Sequence, residues 1–185
     1  NLVEGKAEQT ILKDASKDNV AFLVPGDVFS ATTHIDLVLR AKELKINVKI
    51  INNASIITAI GITGLSLYKF GAITSIPFDN KYIKSPLEII KNNLKIGLHT
   101  LVLLDLNPKE NKYMTINKAL TFLLKKGMEN RLCVGCCALG SEEPEIKAGN
   151  AKDLLKEKFN KFPQCLIITG KLNFKEKEAL DLYKK

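Results

Sequence analysis

The chain has 185 residues, no tryptophan, two histidines and 6% aromatic residues, and Arg40 and Arg131 are the only arginines among its 28 basic side chains. Nucleic-acid readers depend on arginine forks for base edges and on aromatic rings for stacking, so this scarcity excludes a nucleic-acid partner. No membrane span is expected either. The uncharged run Ile50–Tyr68 is 19 residues long, but Asn52, Asn53, Ser55, Thr58, Thr63 and Ser66 interrupt it, as do Gly61 and Gly64. Such a run reads as a buried connection. The opening Asn1-Leu2-Val3-Glu4-Gly5 has no charged and apolar export pattern and no initiator methionine. No G-x-S-x-G, H-E-x-x-H or G-x-x-x-x-G-K occurs, and His34 and His99 have no paired carboxylate or cysteine motif. The four cysteines include the C-x-x-C pair Cys133 and Cys136. In a strand these two would face opposite sides, so they are expected to be small buried hydrophobes in a reducing compartment rather than metal ligands.

What is present is an ordinary globular composition, 45% hydrophobic and 26% charged, with a net charge of +8 spread as lysine. That charge is read as a solvated surface that steers toward an acidic partner. A chain of this length buries roughly 70% of the surface it exposes when unfolded, which excludes disorder. The apolar pattern predicts alternating elements. A loose amphipathic helix over Asn1–Lys17 leads to a strand Asn19–Val24, a helix Thr33–Leu44 and a strand Val48–Ile51, a βαβ unit with a parallel sheet. A short helix near Ile56–Ile60 and a strand Ile73–Phe78 follow. Then come a helix opened by Ser85-Pro86 and closed by Gly97, the strand Thr100–Leu104, a polar loop and a helix Thr115–Lys126. A strand Leu132–Leu139, a return through Glu142–Gly149, a helix near Ala151–Phe159, a strand Gln164–Thr169 and a final helix from Phe174 complete the chain. The polar segment Asn52–Ser55 divides it into lobes 1–52 and 53–185.

Ligands of open α/β sheets sit beyond the carboxyl ends of the strands. That edge would gather the loop from Pro25 to His34 with its carboxylate Asp27, then Ser55-Ile56, and Asp105-Leu106. The residue types also suit caps and turns: Ser30, Thr32 or Thr33 for the helix, Asp27 for the turn.

Four segments carry a resemblance: Val24-Pro-Gly-Asp-Val-Phe-Ser-Ala-Thr-Thr-His34, Asn52-Asn-Ala-Ser-Ile56, Gly97-Leu-His-Thr-Leu-Val-Leu-Leu-Asp105 and Gly140-Ser-Glu-Glu-Pro-Glu-Ile-Lys-Ala-Gly149. In order and over nearly the whole chain, they resemble the diphthine synthases, which have the tetrapyrrole-methylase type of fold. The resemblance implies two α/β lobes with the cofactor cleft between them. It implies a cytoplasmic, homodimeric methyltransferase that uses S-adenosyl-L-methionine, releases S-adenosyl-L-homocysteine and needs no metal. Its protein substrate would be the modified histidine of translation elongation factor 2, in diphthamide biosynthesis. Carried over by position, the cofactor contacts are Asp27, Ser30, Ser55, Ile56, Leu106, Leu139 and Gln164.

The chain departs from the family pattern in three places: Val28 replaces a proline, Ala138 an arginine and Gln164 a histidine. Family members also begin with a strand and glycine-rich loop that precede the position of Asn1, so the N-terminal strand unit is expected to be missing. Two other readings stand beside this one. The first is a tetrapyrrole-precursor methyltransferase of the same fold, against which Thr32-Thr33-His34 speaks. The second is a catalytically incomplete S-adenosylmethionine-binding module.

Overall fold

The computed structural model describes residues 8–184. The chain forms two compact units, one ending at Thr58 and the other beginning at Ala59.

In the first unit, a π-turn over Glu8–Leu12 runs into α1 (Lys13–Ala15), so the described part of the expected first helix is helical; the rest lies outside the described residues. Helix α2 (Ile35–Glu43) follows the loop after Pro25 and buries Ala41. The Arg40 guanidinium donates to Asp36 one turn earlier, an i, i+4 pair of the kind that supports exposed helices. The two strands expected around α2 do not form. Residues 19–24 and 48–51 join no ladder, because the described residues of this unit offer them no strand to pair with. Their side chains lie against α2 around a cavity of about 360 Å³ lined by Phe22, Val28, Leu37, Val48 and Ile50. The unit ends within α3 (Ile56–Ala59), which follows the Asn52–Ser55 segment.

The second unit is built on a five-stranded mixed sheet. Its strands are β1 (Thr74–Ile76), β2 (Thr100–Leu104), β5 (Leu132–Cys137), β6 (Glu145–Asn150) and β7 (Gln164–Ile168), in the spatial order β1-β2-β7-β5-β6. Only β1 and β2 run parallel; β7 is antiparallel to both β2 and β5, and β6 to β5. The parallel βαβ sheet expected over residues 19–51 is not formed, and in this sheet parallel pairing is confined to β1 and β2. Between β2 and β5 lie the small ribbon β3 (Leu106–Asn107) with β4 (Lys112–Tyr113), and α5 (Ile116–Lys125).

Period-two alternation sends Val102, Leu166, Ile168, Cys133 and Cys137 to one face. There α4 (Ser85–Lys95), α5 and α6 (Ala151–Leu154) cover them with Leu87, Ile90, Ile116, Leu120, Leu123 and Leu154. Leu101, Ile167, Val134, Cys136 and Cys165 point to the other face and are buried as well. Burial on both faces explains why the central strands read as continuous apolar runs. Pro86 enters α4 in its first turn, and the Thr115 hydroxyl caps α5 by accepting from the Lys118 N–H.

All four cysteines are free and buried. Burial pushes the Cys133 and Cys137 thiols up to about 12, and Cys136 is raised by its hydrogen bond with Cys165, its cross-strand neighbour, and by burial. Cys133, Cys136 and Cys137 stay protonated at neutral pH, the opposite of a reactive cysteine. That pairing of Cys136 with Cys165, 29 positions apart, follows from the β5–β7 register and has no trace in local spacing.

The segment after β7 and the turn before β2 approach each other closely through their backbones. A Cβ at Gly170 would lie 2.4 Å from the carbonyl oxygens of both Gly97 and Leu98. Neither oxygen can retreat without pulling β2 out of register. Gly170→Ala is expected to cost about 3 kcal/mol in a denaturant titration, since over-packing against backbone has no flexible side chain to absorb it.

Candidate functional site

In the first unit the loop after Pro25 is built around one carboxylate. Gly26 adopts φ +80°, a conformation that favours glycine, and a Cβ there would stand 3.4 Å from the Ala54 carbonyl oxygen. This close approach sets Asp27 beside the Asn53–Ser55 segment. Asp27 Oδ1 accepts from the Phe29 N–H at 3.0 Å and from the Ser30 hydroxyl at 3.1 Å, while Oδ2 accepts from the Asn53 N–H at 3.2 Å. The N–H groups of Phe29 and Asn53 outweigh the opposing effect of burial and, with a smaller contribution from Ser30, hold the carboxyl below its ordinary value of 3.8. Asp27 is ionised at neutral pH.

His34 closes the loop. Its Nδ1–H donates to the Val28 carbonyl at 2.9 Å, and Phe22 meets its ring edge-on at 5.4 Å. The loop is therefore pinned at both ends: at Asp27 to the Asn53 segment, and at His34 to its own start. Ser55 N–H donates to Thr58 Oγ1, which in turn donates to the Ser55 carbonyl, so the first turn of α3 is closed by Thr58. The Ser55 hydroxyl stays unspent. Asp27, Ser30, Ser55 and Ile56 thus lie in one unit, the first three around a single stitched junction.

Leu106, Leu139 and Gln164 belong to the second unit. All three stand at the same edge of its sheet: Leu106 just past the end of β2, Leu139 two residues past β5, and Gln164 at the start of the antiparallel β7, opposite Cys137. Asp105 organises this edge. Its N–H donates to the Ile76 carbonyl and its Oδ2 accepts from the Phe78 N–H at 2.9 Å, which ties the ends of β1 and β2 together. Leu106 is 44% exposed and pairs with Tyr113, whose ring packs 5.0 Å from Phe162. Leu139 follows Ala138, which turns the chain at φ +50° and donates its N–H to the Pro163 carbonyl at 2.8 Å.

Gln164 is occupied by the protein itself. Its Oε1 accepts the Ile116 N–H at 2.9 Å, an orphan donor of the first turn of α5, and its Nε2 donates to the carbonyls of Phe159 and Lys161. The side chain fastens α5 and the 159–161 loop to the strand end, a role that its place at a strand start did not reveal. Gln164→Ala would leave a buried N–H and two carbonyls without their partner. It is expected to lower stability by about 2 kcal/mol, read from the shift in the urea midpoint.

Among the described residues no group of three or more His, Cys, Asp or Glu side chains could hold a metal ion, and no helix is long and apolar enough to cross a membrane.

The model of the Tetrapyrrole (Corrin/Porphyrin) Methylases family matches residues 3–155. The chain is 43% identical to the diphthine synthase of Methanocaldococcus jannaschii over 92% of its own length and 71% of that protein. It is 41% identical to a probable diphthine methyl ester synthase of Arabidopsis thaliana, over 99% of this chain and 75% of the relative. Among solved structures, a putative diphthine synthase from Entamoeba histolytica superposes with a TM-score of 0.89 at 39% identity, covering 98% of this chain and 77% of that one. With a matched domain spanning most of its length and relatives of one kind across archaea, plants and protists, the chain belongs to the tetrapyrrole methylase family and, within it, to the diphthine synthases.

Proposed function

We propose that this methyltransferase uses S-adenosyl-L-methionine to methylate the modified histidine of translation elongation factor 2, as a homodimer in the cytoplasm. The observation that carries the cofactor assignment is the Asp27 junction: an ionised carboxylate, held by three donors, next to the unspent hydroxyl of Ser55.

These groups fit the cofactor chemically. A carboxylate accepts from ribose hydroxyls or from an ammonium, the Ser30 and Ser55 hydroxyls donate and accept, and exposed Leu106 with half-buried Leu139 offers apolar surface suited to a purine. When bound, S-adenosyl-L-methionine supplies a methyl group on a sulfonium, and the transfer is an in-line displacement that leaves S-adenosyl-L-homocysteine. What such a reaction asks of the protein is alignment, not an acid–base dyad. The pinned loop serves that need, because Asp27 and His34 fix its two ends and leave it little freedom to lose on binding. Gln164 contributes by holding the start of α5 and the 159–161 loop in place. The excess of lysine suits encounter with an acidic face of a large protein substrate.

Titration calorimetry with S-adenosyl-L-methionine tests the cofactor half of this reading. Saturable heat with a dissociation constant in the micromolar range supports it, and the absence of any heat contradicts it.

A further inference from the structure

Among the described residues one buried side-chain nitrogen has no hydrogen-bond partner, Nε of Arg131. Of the other half-buried cations of the second unit, Lys161 meets Glu143 and Lys126 donates to the Lys81 carbonyl. Lys69 meets Glu176, and Lys147 lies between Glu145 and Glu157. Arg131 is half-buried and in no ion pair, although Glu129 stands two residues away. A half-buried guanidinium without a counter-ion is costly, and it is the side chain whose planar fork best fits an oxyanion.

Arg131 lines a cavity of about 430 Å³ together with Lys91 and Lys95, one turn apart on α4. The floor is apolar, made by Leu87, Ile90 and Met128. Three cations face one carboxylate, Glu129, so the excess matches a dianion. Arg131 precedes β5, whereas Leu139 follows it, so the cavity lies at the opposite end of the sheet from the candidate cofactor contacts of this unit, with the roughly 20 Å length of β5 between them.

We propose that this cavity binds a phosphate-type dianion, free or carried as a monoester on a small apolar body, with Arg131 as the fork and Lys91 and Lys95 as flanking charges. The volume exceeds what phosphate alone requires and falls in the ordinary range of small-molecule sites.

The test is a calorimetric titration of the protein with inorganic phosphate and, in a second arm, phenyl phosphate, each at low and high salt. Saturable binding that weakens with salt is expected. Tighter binding of phenyl phosphate would identify a monoester as the ligand, and equal binding would identify free phosphate. Arg131→Gln is expected to weaken binding at least roughly tenfold, with Arg131→Lys in between because it keeps the charge and loses the fork. Thermal melts without phosphate separate this role from a structural one. Arg131→Gln removes an unpaired charge, so its melting temperature should hold or rise, and phosphate should raise that of the wild type only. No saturable heat with the wild type, or unchanged affinity in Arg131→Gln, overturns the proposal. A change of oligomeric state in Arg131→Gln without phosphate binding by the wild type also overturns it, by placing the counter-ion on a second copy of the chain.

Discussion

Glu176→Ala is expected to be the most damaging single change in the second unit, at about 3–5 kcal/mol and a drop in melting temperature on the order of 10 °C. The carboxylate is 1% exposed and gathers four donors from three segments. Its Oε1 accepts from the Ser66 N–H at 3.0 Å and from His99 Nε2 at 3.2 Å. Its Oε2 accepts from Lys69 Nζ and from the Asn173 N–H, closing a capping box at the start of α7 (Phe174–Asp181). His99 is fully buried, and its Nδ1 accepts from the Gly170 N–H at 2.8 Å, so the ring proton sits on Nε2 and points at Glu176. Removing the carboxylate leaves Lys69 with only the Lys171 carbonyl and strands an imidazole N–H and two main-chain N–H groups. Glu176→Gln should recover part of the loss by keeping one acceptor.

The same cluster makes the unit acid-labile. Burial alone would raise the Glu176 carboxyl, but the bonds from Lys69, Asn173, Ser66 and His99 outweigh it and hold the group far below its ordinary value of 4.5. A depressed carboxylate contributes stability above its unfolded value, and that contribution is lost as the pH falls below about 4.5. His99 acts in the same direction. Burial lowers it below 6.5, against the pull of Glu176 and with the help of Lys69. The unfolded chain takes up that proton first, so stability already starts to fall as the pH drops below about 6.5. Denaturant midpoints from pH 8 to about pH 3 should decline, and Glu176→Ala should flatten the part of that decline below about pH 4.5.

This cluster was invisible in the sequence because Lys69, His99 and Glu176 are each unremarkable within their own segment, and only the fold brings them together. The strands β2, β5 and β7 were legible because both faces are buried, which leaves an uninterrupted apolar run. Asn19–Val24 and Val48–Ile51 look the same by that measure. An apolar run records the wish for burial, however, and a strand also needs a ladder partner, which the described residues do not give them. Of the site, Asp27 could be located from the glycine and carboxylate after an apolar segment. Gln164 was named only through the resemblance, as the first residue of its strand, and its three internal hydrogen bonds depend on α5 and on the 159–161 loop folding back over it.

Asp27→Ala is the second large effect, and it falls on binding. Hydrogen bonds to an ionised group contribute enough that losing them should weaken affinity for S-adenosyl-L-methionine by roughly 10- to 100-fold. Part of that loss comes from the loop itself, since Asp27 alone links the Phe29 and Asn53 N–H groups. Asp27→Asn separates the two contributions. One amide oxygen can still accept from the loop, so the fold of the junction is kept while the charge is gone. An affinity for the cofactor equal to that of the parent in both variants would remove Asp27 from the site.

The central claim is methyl transfer to a protein side chain, and the most direct measurement follows label from methyl-labelled S-adenosyl-L-methionine into elongation factor 2 that carries the unmethylated histidine modification. Label is expected in the factor, none in a factor whose histidine is unmodified, and strongly reduced incorporation with Asp27→Ala. Cofactor binding without any label in the modified factor would contradict the assignment of the substrate.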